Sequence, residues 1–247
     1  MFEQARIIET YAGVEGSIYF TNAVTQIVAR PSSVVDHYKV QRESIRAFHV
    51  ASLDFVQERG ASVSNHSLSL GAALARNDIR AELCGEGADV TLNGLYVVSG
   101  SQHVDHHTVI DHRVGHCTSR ELYKGVLDDE ASGVFNGRVI VRADAQKTDA
   151  KQSNKALLLS EDAQVTTKPQ LEIFADDVKC THGATVGQLD EEALFYLRSR
   201  ALSEAQSRQL LIHAFAAGLL AHIKVDAIRK QLNELLLDRL PVMSVGS

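Results

Sequence analysis

From its start to about residue 189 the chain alternates apolar and polar side chains in short runs, among them ASVSNHSLSL, IRAELC, DVTLNGLYVV and RVIVRA. A period of two marks strands with one buried face, and glycine, asparagine and aspartate punctuate the runs at strand length. Two-residue hairpin signals are scarce, which argues against a meander of antiparallel hairpins. A turn-small-polar-Val pattern recurs instead, as Gly60-Ala61-Ser62-Val63, Gly87-Ala88-Asp89-Val90, Asp162-Ala163-Gln164-Val165 and Gly183-Ala184-Thr185-Val186. The intervals of 27, 75 and 21 residues suit whole multiples of a coil of ~20–27 residues. One coil cannot bury its apolar side without a stacked neighbour, so repetition of this kind points to a solenoid. The expected fold is mainly β, a parallel β-helix.

After residue 190 the period becomes helical. Asp190 and the acidic residues behind it suit a helix N-terminus in DEEALFYLRSR. Ser203 and Gln206 form a capping box at the head of SEAQSRQLLIHAFAAGLL. A third segment, VDAIRKQLNELLLDRL, places Ile228, Leu232, Leu235, Leu236 and Leu240 at helical spacing, and Pro241 with small residues behind it closes the chain. The division expected is a β-helix core over 1–189 and a helical region over 190–247. In the second helix Leu210, Leu211, Phe215 and Leu219 make an apolar face broader than one packing contact needs, with few charges near it. That face is expected to bind a partner.

Composition narrows the function classes. With 45% hydrophobic and 23% charged residues the chain has the balance of a globular protein. A formal charge of −6 and a pI near 6.0 argue against nucleic acid as a partner, because phosphate binding needs a basic surface. No apolar run is long enough for a membrane span. MFEQARIIET has neither the basic start nor the apolar core of a signal peptide. Three scattered cysteines, Cys84, Cys117 and Cys180, make no disulfide framework and suit a reducing, cytoplasmic setting. Self-contained catalytic engines are missing: there is no GxxxxGK[ST] phosphate loop, no G-x-S-x-G elbow and no HExxH. The chain is therefore expected not to be an enzyme and not to hydrolyse ATP by itself. A stand-alone β-helix enzyme is the alternative. A polysaccharide-acting one would need an acidic pair and aromatic platforms, and 6% aromatics with no tryptophan speak against it.

Two stretches carry metal-ligand types. In QHVDHHTVIDHRVGHC, a single strand would turn Val104, His106, Thr108, Ile110, His112 and Val114 inward. His103, Asp105, His107, Asp111 and Arg113 would then face outward. The histidines split between the faces and do not converge as a metal site requires. In LEIFADDVKCTHGATVG, Leu171 and Ile173 fall on odd positions and Val178, Cys180 and His182 on even ones. The parity breaks at Ala175-Asp176-Asp177, which marks a corner between two strands. Beyond it Cys180 and His182 face the same way, ~6.6–7 Å apart at strand rise. Thiolate and imidazole suit zinc, copper or iron–sulfur species. Two ligands do not complete a site, so any others must come from a neighbouring coil or another chain. The same spacing also fits a cysteine that is simply a small buried hydrophobe beside Val178.

Residues 134–200, running from VFNGRVIVRADAQKTDAKQSNKALLLS through ADDVKCTHGATVGQLDEEALFYLRSR, closely resemble the SufB/SufD family of iron–sulfur cluster assembly proteins. The resemblance extends back through GLYVVSGSQHVDHHTVIDH and ELYKGVL and forward into the C-terminal helices. The KPQLEIFADDVKCTHGATVG form, without a cysteine-rich N-terminal part, is more similar to SufD than to SufB. It implies a right-handed parallel β-helix with a helical C-terminal region. The implied role is a scaffold that pairs with a SufB-like paralogue and binds a SufC-like ABC ATPase through those helices. No tightly bound cofactor is implied for the isolated chain, which is expected to be able to pair with itself. A transient iron–sulfur cluster or iron would sit at the partner interface. His182 matches the histidine of the family's D-V-K-C-x-H-G motif, a candidate cluster ligand, and Cys180 matches its cysteine. A purely structural paralogue that binds the ATPase and no metal remains the second alternative. Members of the family usually carry a helical N-terminal region before the β-helix; this sequence is expected to begin inside or just before the β body, as a fragment or a short variant. The family's F-Y-L-R-S-R is followed by glycine where Ala201 stands here; in a left-handed turn alanine is strained by roughly 1 kcal/mol.

Overall fold

The alternating runs become thirteen strands, and in a computed structural model of the protein they stack as coils. The structure describes residues 3–239. One parallel sheet holds β1 (Gln4–Ala12), β3 (Val34–Arg42), β5 (Ser62–Ser69), β7 (Asp89–Val98), β9 (Thr118–Leu127), β11 (Asp149–Leu158) and β13 (Lys179–Gly187), in that order. The other holds β2 (Phe20–Ala29), β4 (Phe48–Gln57), β6 (Leu74–Leu83), β8 (His103–His112), β10 (Ser132–Val141) and β12 (Gln164–Ile173). Successive strands alternate between the sheets, so each turn of chain contributes one strand to each. The fold is thus a parallel β-solenoid of about six turns.

Stacking explains the repeat only in part. Val63 and Val90 are register partners on adjacent coils, so the interval of 27 is one turn. Val165 lies on β12 in the opposite sheet and Val186 pairs with Ala156 on β11, so the two later copies are not turns of the same repeat. The true coil runs from 26 residues (Phe48 to Leu74) to 32 (Ser132 to Gln164), longer than the sequence period suggests. Corners of unequal length hide the period.

Inside, the two sheets close on an apolar lumen. Val35, Val63 and Val90 stack in register from β3 to β7, facing Leu53, Phe55, Ile79 and Ile110 of the other sheet. The lumen is close-packed enough that Gly94 is obligatory: a Cβ there would collide with the Tyr123 ring. Burial of such faces, at about 25 cal/mol per Å² of apolar area, is the main force holding coil on coil.

Outside, the first sheet carries a second apolar patch, and the last two of three C-terminal helices cover it. The helices are α1 (Glu191–Ser199), α2 (Glu204–Leu220) and α3 (Asp226–Arg239). Asp190 caps α1 by accepting from the amides of Glu192 and Ala193, and Ser203 and Gln206 form the expected capping box on α2. Ile212, Ala216, Leu219, Leu220, Ile228, Leu232 and Leu236 pack on Tyr38, Val40, Leu68, Leu95, Val97 and Val126. Leu240 and Pro241, expected to end the third helix and close the chain, lie outside the described residues. Between α1 and α2, Ala201 has φ of 66°, so the glycine-type turn is left-handed and alanine occupies it under strain. Among the described residues no helix is long and apolar enough to cross a membrane.

Candidate functional site

Strand parity sorts the histidine-rich β8 as expected. Val104, His106, Thr108, Ile110 and His112 are buried in the lumen, while His103, Asp105 and His107 are only half-buried on the outer side. Each histidine has its own local role. His103 Nδ1 is 2.7 Å from Ser132 Oγ, His112 Nε2 is 2.9 Å from Ser119 Oγ, and His107 pairs with Asp105 at 2.9 Å. His106 lies between the Tyr96 and Tyr123 rings at 5.3 and 5.2 Å, and burial pushes its pKa down to about 3. Among the described residues, no three or more His, Cys, Asp or Glu side chains converge to hold a metal.

Cys180 and His182 stand elsewhere, on β13, after a corner with Ala175 buried at its start. Register places both on the lumen side. Cys180 ends a column that runs Val63, Val90, Ser119, Ala150, Cys180 through adjacent strands. His182 ends the neighbouring column, Asn65, Leu92, Glu121, Gln152, His182. β13 is the last strand of its sheet, so among the described residues no strand stacks over it. Cys180 is therefore half-buried against the core and His182 is exposed. Burial raises the Cys180 thiol, which keeps it protonated more than a free thiol would be. The open end of the solenoid thus presents a thiol and an imidazole side by side, with room for ligands from outside the chain.

Beneath this pair the lumen turns polar. The buried Gln152 amide donates from Nε2 to Glu121 Oε2 at 2.6 Å, and burial pushes the Glu121 carboxyl up to about 7. The other oxygen of each group, Gln152 Oε1 and Glu121 Oε1, is buried without a partner among the described residues. Sequence reasoning did not single out Glu121 or Gln152. The signal was present, because both sit in phase with the inward residues of their strands, Tyr123 and Leu127 on β9 and Ala150 and Ala156 on β11.

The four residues expected to meet a partner do not form one exposed stripe. Leu210 is exposed, Leu211 and Phe215 are half-buried, and Leu219 is fully buried. Lys124 explains part of this, donating to the Phe215 carbonyl at 2.7 Å with its ammonium 5.0 Å above the Phe215 ring. Leu219 anchors the helix to the sheet and cannot meet a partner directly. Exposed apolar residues appear instead on α1, where Phe195 and Tyr196 stand out of the surface.

Comparison with known proteins bears on the same residues. A family model described as "SUF system FeS cluster assembly, SufBD core domain" matches residues 2–215. The iron–sulfur cluster assembly protein SufD of Escherichia coli is 37% identical over 238 residues, covering 96% of this chain and 56% of that protein. An iron–sulfur cluster assembly SufBD family protein of Synechocystis is 35% identical, covering 94% of this chain and 53% of that protein. SufD of Bacillus subtilis is 31% identical over 186 residues, 72% of this chain and 42% of that protein. The chain spans about half the length of these relatives.

Proposed function

Since this chain belongs to the SufBD family of iron–sulfur cluster assembly proteins and is SufD-like, we propose that it serves as a non-catalytic scaffold subunit whose open solenoid end meets a SufB-like paralogue. The nascent iron–sulfur cluster is the cargo of that interface. The observation that carries the reading is the position of Cys180 and His182: adjacent lumen columns end on them, and among the described residues no strand covers them. A two-ligand set is half a site, and a second chain is the simplest source of the rest. The unpaired backbone edges of β12 and β13 offer that chain hydrogen-bonding groups along the same rim.

A SufC-like ABC ATPase would dock on the C-terminal helices and supply the energy this chain has no phosphate loop to extract. Phe195 and Tyr196 on α1, Leu210 on α2 and Leu237 on α3 are large apolar groups there that the β body leaves exposed. Because α2 and α3 cover the sheet, deleting them would bare Leu68, Leu95, Val97 and Val126. Point replacement is the better test: Phe195→Asp with Leu210→Asp should abolish ATPase capture without changing the melting temperature.

The deciding experiment is co-expression with a SufB-like subunit and the ATPase, followed by iron and acid-labile sulfide analysis of the purified complex. His182→Ala should leave the complex assembled and lower its iron and sulfide about tenfold or more. A complex with full cluster content in that variant would instead make the chain a structural subunit without a ligand role. Cys180→Ala should have the smaller effect.

A further inference from the structure

The Glu121–Gln152 pair lies directly behind His182, and three observations connect them. Glu121, Gln152 and His182 are consecutive register partners on β9, β11 and β13, all on the lumen side. Adjacent strands lie about 4.8 Å apart, so the Gln152 amide is within reach of an imidazole in the same column. Gln152 is buried, and its nitrogen is spent on Glu121 at 2.6 Å, while its oxygen has no partner among the described residues. Nitrogen and oxygen leave an amide carbon on opposite sides, so a nitrogen turned to β9 turns the oxygen toward β13. The chain also makes room for this amide. Gly137 on the facing sheet touches it so closely that a Cβ there would collide with Gln152 Nε2. A buried amide oxygen left unpaired costs about 1–3 kcal/mol, so a donor is expected for it.

We infer that Gln152 is a positioning residue for His182: the two are not bonded in this structure, and rotation of the exposed ring lets the free side-chain oxygen accept its N–H, with Glu121 fixing the amide so that it can. This rests on the reading of His182 as a cluster ligand. A neutral imidazole has one N–H and one lone pair, and the hydrogen bond at one nitrogen decides which nitrogen is free to ligate. The ring would be held in one tautomer with its lone pair turned out of the solenoid end toward the partner. Leu92, the residue in this column on β7, offers no acceptor, so the polar relay is confined to the last three strands.

The test is nitrogen NMR of the full chain labelled at histidine, with N-acetyl-histidine amide as the reference for an unheld ring. In the unaltered chain His182 should show a single tautomer with a hydrogen-bonded N–H. Gln152→Leu removes the acceptor, and Gly137→Ala displaces the amide without touching Gln152 or His182. Both variants should shift His182 to the tautomer mixture of the reference, and cluster content of the co-expressed complex should fall about tenfold. Melting curves report which variant keeps its fold, and either one that does suffices. A His182 signal that already matches the reference in the unaltered chain, or that is unchanged in a folded variant, overturns the inference. A changed tautomer with full cluster content upholds the hydrogen bond and overturns the ligand reading of His182, so the two failures are distinguishable.

Discussion

His106 and His182 occupy equivalent kinds of position, each on a parallel strand, each pointing into the lumen. Their surroundings differ in one respect. His106 has a coil on either side and two tyrosine rings against it, and neither ring nitrogen has a partner among the described residues. His182 has a coil below and, among the described residues, none above. In the closed layer the imidazole is an apolar filler that cannot afford a proton; at the open end the same group keeps its lone pair accessible. Coverage by the next coil separates a packing histidine from a ligand candidate.

Acid should expose this difference most strongly. Burial lowers the folded pKa of His66 and His112 to about 4 and that of His106 to about 3, all below the unfolded value of 6.5. The unfolded chain therefore takes up protons first as pH falls. Stability is intact above about 6.5 and is lost on the way down, by about 3 kcal/mol for each such histidine between pH 7 and 4. Glu121 acts with the opposite sign, since its folded pKa of about 7 exceeds 4.5 and favours the folded state more as pH falls through that window. Three histidines outweigh one carboxyl, so urea midpoints should drop steeply below pH 6. A flat profile from pH 7 to 5 would break the comparison.

Next in size is His106→Phe, which keeps the ring in its slot and removes two unpaired nitrogens. It should stabilise the protein at pH 7 by about 1–2 kcal/mol and leave cluster assembly unchanged. A destabilised variant would mean that the ring nitrogens have partners in the closed layer.

Ala201→Gly provides a yardstick from a site where backbone strain decides. Relief of the φ of 66° should add about 1 kcal/mol to the unfolding free energy. The smallest effect on stability belongs to His182→Ala, expected to cost no more than about 1 kcal/mol, the loss of the donor inferred for the Gln152 oxygen at an otherwise exposed position. A loss of several kcal/mol would place His182 with His106 as core.

Parity made much of this legible in the sequence. The split of the β8 histidines, the corner at Ala175-Asp176-Asp177 and the shared face of Cys180 and His182 all follow from a period of two. The solenoid itself was visible through one true repeat, Val63 over Val90, whereas Val165 and Val186 shared only the local pattern. Burial across elements was not legible. Leu219 has the same helical spacing as Leu210, and only the path of α2 over the sheet decides that one is core and the other surface. The Gln152–Glu121 bond joins residues 31 apart, one full coil whose length is set by its corners.

That corner length has a genetic consequence. Strands keep to eight to ten residues throughout while coils vary from 26 to 32, so the corners absorb nearly all the variation. Each strand is written in a two-phase reading frame, lumen and outside, and each corner resets it. An insertion at a corner such as Asp176-Asp177 shifts nothing downstream. A single residue inserted between Lys179 and Cys180 would invert the frame of β13, turning the thiol and the imidazole out of the lumen while the composition of the strand stayed almost the same.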